Sequence, residues 1–275
     1  MIVTINEEEF YAEFIETVAG ISTEISKNIS LQKACRNDKE ISFVVYTKEN
    51  KEMQAYLRQL YYDAISTGIT DCAQRYIHAI SKDEKFVPSN ESFLNGVMAR
   101  AVNRHYLKEK YPDAFLVKKD DFAIILTYQI GENELLLSKE DMMIYGGNDP
   151  KQIIYSVLAR TLKQFTFNVT SNERISSFPF IKRTKVFRFI CKERPTYGAI
   201  GMIHMAENLF RHIRANIYIL PFSTSSVYAI SGVKEDEARK IYNEYLQEKE
   251  EDISEEERLS HTLYLFDKNG LHSLG

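Results

Sequence analysis

Apolar residues recur at steps of three and four along some stretches of the chain and at steps of two along others. The longest helical face runs from about residue 52 to 80, through Met53, Tyr56, Leu57, Leu60, Tyr61, Ala64, Cys72, Tyr76 and Ile80. That spacing puts one apolar stripe along a helix, with Gly68 as the place where it kinks or divides. A second such face follows Pro88, through Phe93, Leu94, Val97, Met98, Ala101, Val102 and Tyr106. An earlier helix is signalled by Asn6 with Glu9 three residues on, a reciprocal capping pattern, followed by Phe10, Phe14 and Val18 on one side. Between these helices the chain to Glu40 is polar and weakly patterned. Ile41 to Thr47 is β-rich and predicts a strand.

After residue 121 the period shortens. Phe122, Ile124, Leu126 and Tyr128 alternate as in a strand, both faces are apolar, and Gly131 to Asn133 predicts a turn into a short return strand. Short and longer helices follow from Lys139 and from Pro150, the latter with Asp149, Pro150 and Gln152 as its start signal. Thr184 to Cys191 predicts a strand and Tyr197 to Ile213 a helix. Residues 216–220 and 226–230 predict an antiparallel hairpin, Ala238 to Leu246 a charged helix, and His261 to Phe266 a closing strand. The resulting order is α+β: a helical N-terminal part followed by a mostly antiparallel sheet with packed helices. The expected division is a mainly helical region 1–120 and an α+β domain 121–275, with the break in Tyr111 to Asp121.

The net charge of −4 gives no global attraction to nucleic acid or to an anionic membrane surface, and no apolar run reaches membrane-spanning length. Cys35, Cys72 and Cys191 are odd in number and widely spaced, without C-x-x-C; buried free thiols in a reducing cytoplasm are expected, with no zinc knuckle. The acidic N-terminus lacks an apolar stretch of the secretory kind.

Four places invite a chemical reading. Ser223, Thr224, Ser225 and Ser226 form a hydroxyl run between two apolar strands. A serine nucleophile on a strand-to-helix elbow needs flanking glycines, which are absent, so Pro221 and the hydroxyls predict a hairpin connection. His204 and Glu207 lie one turn apart on one predicted helix and are candidate metal or acid–base groups, although His212 falls off their face. Lys182, Arg183, Lys185, Arg188, Lys192 and Arg194 crowd one strand, with Arg211 and Arg214 ending the next helix, a set that would suit phosphates. Alternation places Phe187 and Phe189 opposite Arg188, as core rather than as stacking platforms, and the basic residues then read as guards of an edge strand or partners of the acidic segment after Val233. Ser254 and Glu257 predict a capped helix start within the acidic run.

Three ordered stretches carry a resemblance: Asp121 to Phe165, Tyr197 to Ser231 with its "ANIYILPFSTSSVYAIS", and Leu259 to Leu274 with its "DKNG" turn. Over about residues 121–274 the chain resembles the uncharacterised bacterial YtpQ-like family and related Firmicutes domains. The resemblance implies an α+β fold and a cytoplasmic bacterial or phage source. It supplies no catalytic residue and no cofactor. The expected function is non-enzymatic binding of a protein or peptide partner. Nucleic-acid association through 182–194 is the alternative, and a hydrolase using His204, Glu207, Ser223 or Ser225 is the second alternative.

Overall fold

A computed structural model of the chain describes residues 2–36, 39–49, 51–87, 96–130, 132–145, 150–171, 185–249 and 253–274. The fold is α+β with mostly antiparallel sheets. It divides into two compact units, one of residues 1–97 with 127–150 and the other of 98–126 with 151–275. The units therefore do not follow the expected division at 120/121. The strand Phe122–Ile130 supplies Phe122 to Leu126 to the second unit and Thr127 to Ile130 to the first.

The first unit opens with the helix Glu7–Ile21, which begins as its sequence predicts. The Asn6 side chain accepts from the Glu9 amide at 3.2 Å and donates to the Glu9 carboxylate at 3.0 Å. Phe10, Phe14 and Val18 turn inward. Next comes a three-stranded antiparallel meander, Ile29–Arg36, Lys39–Lys48 and Lys51–Tyr56. Two of these strands depart from the sequence reading. Ile29–Arg36 lies in the stretch without clear pattern, because as an outer strand it sends only Ile29 and Leu31 against the core. Lys51–Tyr56 occupies what reads as the start of the long helix. Met53 and Ala55 point inward at a spacing of two, and so short a run satisfies either period.

The helical part is two helices, Leu57–Thr67 and Ile69–Ser81. Gly68 separates them with φ +94° and ψ 145°, a conformation essentially confined to glycine. Together they cover the meander, and Leu57, Leu60, Cys72, Tyr76 and Phe86 complete the core with Phe14 and Val44. Ile2–Val3 pairs parallel with Asn133–Leu136, which pairs antiparallel with Thr127 to Ile130. The helix Lys139–Tyr145 follows.

In the second unit the helix expected after Pro88 is replaced by the strand Val97–Asn103 and the helix Arg104–Lys110, while residues 88–95 lie outside the described ones. Every residue of that strand is buried, and a run buried on both faces carries no period to read. Asn103 starts the helix by accepting from the amides of His105 and Tyr106 at 2.8 and 3.0 Å. Leu116–Lys119 pairs with the start of Phe122–Ile130, and the helix Pro150–Gln164 forms where Pro150 predicts it. Asp149 lies outside the described residues.

A six-stranded antiparallel sheet runs in the order Gly270–Ser273, Tyr264–Asp267, Ile217–Pro221, Val227–Ser231, Lys185–Cys191, Phe167–Ser171. The hairpin forms as expected, with Ile217 opposite Ser231 and Ile219 opposite Ala229. One face holds Phe189 and Cys191 and is covered by the helix Gly198–Ile213, whose Gly201 sits against the Phe167 ring. The other face holds Tyr218, Leu220, Tyr228 and Ile230 and is covered by the helix Glu235–Lys249.

Candidate functional site

The hydroxyl run closes the hairpin between Pro221 and Val227 and is held from two sides. Thr224 donates its amide to the Glu257 carbonyl at 2.8 Å, and its own carbonyl accepts from Ala199, at the start of Gly198–Ile213, at 3.0 Å. Leu259 donates to Phe222 at 3.2 Å, so 257–259 runs along the loop. Ser223 is 4% exposed; its hydroxyl oxygen accepts from the Ser226 amide at 3.0 Å and lies 3.3 Å from that of Ser225. Thr224 is fully buried, and its hydroxyl has no hydrogen-bond partner among the described residues. Among the described residues no histidine or carboxylate hydrogen-bonds to these hydroxyls, so the base that a nucleophilic hydroxyl needs is not among their described contacts. The capping pair Ser254 and Glu257 forms, with the Glu257 amide 3.3 Å from the Ser254 hydroxyl, but it closes a turn and not the expected helix start.

His204 and Glu207 are both exposed on Gly198–Ile213. Glu207 pairs with Arg211 one turn on, not with His204. Among the described residues no group of three or more His, Cys, Asp or Glu side chains is placed to hold a metal ion.

The basic residues are split. Lys182 and Arg183 lie outside the described residues. Lys185–Cys191 is an interior strand flanked by Val227–Ser231 and Phe167–Ser171, so an edge-guarding role for Lys185 and Arg188 is corrected. Arg188 points to the face covered by Glu235–Lys249, with its guanidinium 5.7 Å from the centre of the Tyr228 ring. Arg211 and Arg214 belong to the helix on the opposite face. The sheet thus stands between Arg188 and the pair Arg211 and Arg214. Lys192 is exposed, and the Arg194 guanidinium lies 6.0 Å from the rings of Phe165 and Tyr197. Lys185 and Lys192 form no ion pair with the acidic segment among the described residues.

Of the thiols, Cys72 and Cys191 are buried and Cys35 is exposed, which corrects the expectation that all three are interior. Burial pushes the Cys72 thiol well above its usual range and Cys191 upward too, so neither is a ready nucleophile.

Each unit has a cleft among its described residues. The cleft of the second unit, about 280 Å³, has Ile203, Ala206, Phe266 and Leu271 as apolar walls and Lys119 and Asp120 at its rim. Its most buried polar group, the Tyr264 hydroxyl, is already committed to the Asp121 carboxylate, which also accepts from the Ser260 hydroxyl and the His261 amide.

The cleft of the first unit, about 250 Å³, lies between the strand Lys51–Tyr56 and the end of the helix Ile69–Ser81. It touches Glu52, Met53 and Gln54. Consecutive strand residues point to alternate faces, so a cleft that touches all three runs along the strand's edge. Among the described residues that edge is open: the strand is outermost in its sheet. The Thr47 amide donates to Asn28 at 3.0 Å, away from its neighbour Glu52. By the alternation of antiparallel ladders, Thr47–Glu52 and Val45–Gln54 are then the pairs that do not bond to each other. The amides and carbonyls of Glu52 and Gln54 therefore face outward. On the far wall Asp83, with φ +57°, ends the helix and turns Glu84 to Phe86 back beside the strand. The Lys51 ammonium holds Asp83 at 2.6 Å. Phe86 packs edge-on against Tyr76, which is 2% exposed and whose hydroxyl has no partner among the described residues. The sequence gives no sign of this site, because strand 51–56 hides within a helical pattern.

No family model matches the chain, and neither a curated protein nor a solved structure matches it. No helix among the described residues is long and apolar enough to cross a membrane.

Proposed function

We propose that the chain is a binding protein for a protein partner, and that it takes an extended peptide segment of that partner as a fourth strand beside Lys51–Tyr56. The observation behind this reading is the coincidence of an open strand edge with a side-chain-sized cleft on the same three residues, Glu52, Met53 and Gln54. Peptide addition to a sheet edge derives affinity from main-chain hydrogen bonds and specificity from pockets for alternate side chains. The outward amides and carbonyls of Glu52 and Gln54 supply the first, and the cleft supplies the second. The outer strand on the other side of the meander, Ile29–Arg36, has mostly exposed side chains and no such cleft beside it among the described residues.

Selection of a displayed random-peptide library against the full chain tests this. Peptides of strand-forming composition are expected to enrich. Gln54→Pro removes an outward amide without touching the bonds to Lys39–Lys48, and should abolish their binding, whereas Gln54→Ala should retain it. Enriched peptides that bind the Gln54→Pro chain undiminished, or a library that yields none, would contradict the proposal.

A further inference from the structure

Resting on that reading, the geometry points to the side chain that the cleft accepts: we infer that it takes a lysine or arginine of the added strand. At about 250 Å³ the cleft holds one long side chain, below the roughly 300–1,000 Å³ of sites that enclose small molecules. Its depth is apolar and aromatic, from Met53, Ile80, Phe86 and the Tyr76 ring, which suits an aliphatic stem beneath a charged head. Its rim is acidic. Asp83 is matched by Lys51, but Glu52 and Glu84 have no cationic partner among the described residues and outnumber Lys85.

A further feature favours a cation. The last turn of Ile69–Ser81 lines the cleft through Ala79 and Ile80, and a helix C-terminus carries partial negative charge. A glutamate in the cleft would meet that helix end and two unpaired carboxylates. A norleucine would fill the depth and leave the rim unanswered.

The test uses capped heptapeptides of alternating Thr and Val whose central residue is Lys, Arg, norleucine or Glu, titrated into the full chain and followed by NMR shifts of Met53 and Ala79. The Lys and Arg peptides are expected to bind about tenfold more tightly than norleucine, and the Glu peptide more weakly still. Glu52→Gln with Glu84→Gln, both at exposed positions, should reduce the Lys preference severalfold while leaving norleucine binding unchanged, and added salt should do the same. Equal binding of Lys and norleucine, or preference for Glu, would overturn the inference while leaving the edge-strand reading intact. Failure of all four peptides to bind would overturn both.

Discussion

Arg58 Nη1 donates to both carboxylate oxygens of Asp141, at 3.1 and 2.9 Å, and Asp141 is wholly buried. Arg58 Nε meets Glu7 at 3.0 Å and Glu140 at 3.3 Å, so one guanidinium ties the helix Leu57–Thr67 to Glu7–Ile21 and Lys139–Tyr145 within the first unit. Asp141 also accepts from the Ser138 amide at 2.6 Å, closing the start of its own helix.

Replacing Arg58 by Met strands these carboxylates out of water. A loss of about 3–5 kcal/mol is expected, because a buried charge without its partner is far costlier than the intact pair is valuable. Arg211→Met, at an exposed pair with Glu207, should change stability little. Urea unfolding of the two variants checks both statements, and equal effects would show that the Arg58 cluster is solvated.

Buried thiols and three buried phenols govern the alkaline side of stability. Burial raises Tyr76, Tyr242 and Tyr264 well above the usual phenol range, and for Tyr264 the hydrogen bond to the Asp121 carboxylate adds to it. A group raised on folding stabilises fully below its unfolded value, and that contribution is lost as pH climbs toward the folded one. Stability should therefore begin to fall at about pH 8.5, where the buried thiols of Cys72 and Cys191 would ionise on unfolding, and fall more steeply above about pH 10 as the phenols join them. Phenolate absorbance for these tyrosines should appear only with loss of circular dichroism. Its appearance in the folded chain would contradict their burial.

Ser223→Ala removes the acceptor of the Ser226 amide and should cost about 1 kcal/mol. Ser225→Ala and Ser226→Ala should stay within about 0.5 kcal/mol. Any background ester hydrolysis should be the same in all three. Loss of hydrolysis in one variant with its fold intact would give that hydroxyl a chemical role.

Arg188 and the pair Arg211 and Arg214 lie on opposite faces of their sheet, so they do not present one phosphate-binding surface. Retention on DNA or RNA at low salt is expected to be absent. Salt-sensitive binding lost in both Arg188→Glu and Arg211→Glu would show the two faces acting on one ligand.

The legible parts of this chain were those with one-sided burial or with a turn signal between apolar runs. Phe10, Phe14 and Val18 announce their helix because the opposite face is polar, and Asn6 with Glu9 marks its start. The hairpin 217–231 is readable because Pro221 and the hydroxyls separate two apolar runs. Val97–Asn103 was not, because it is buried on both faces and alternation vanishes. Lys51–Tyr56 was not, because Met53 and Tyr56 continue the spacing of Leu57 and Leu60 backwards across a strand-to-helix junction. The same ambiguity concealed the cleft. His204, Glu207 and the hydroxyls drew attention through residue type alone, and the fold leaves the first two exposed and binds the hydroxyl loop into backbone contacts.

Amide hydrogen exchange along Lys51–Tyr56 tests the edge-strand account most directly. In the free chain Met53 and Ala55, bonded to the neighbouring strand, should exchange slowly, and Glu52 and Gln54, facing outward, should exchange quickly. A saturating selected peptide should slow Glu52 and Gln54 at least tenfold, the size expected for amides drawn into a ladder, and leave Ile29–Arg36 unchanged. Unaltered exchange at Glu52 and Gln54 with peptide bound, or protection appearing along Ile29–Arg36 instead, would contradict it.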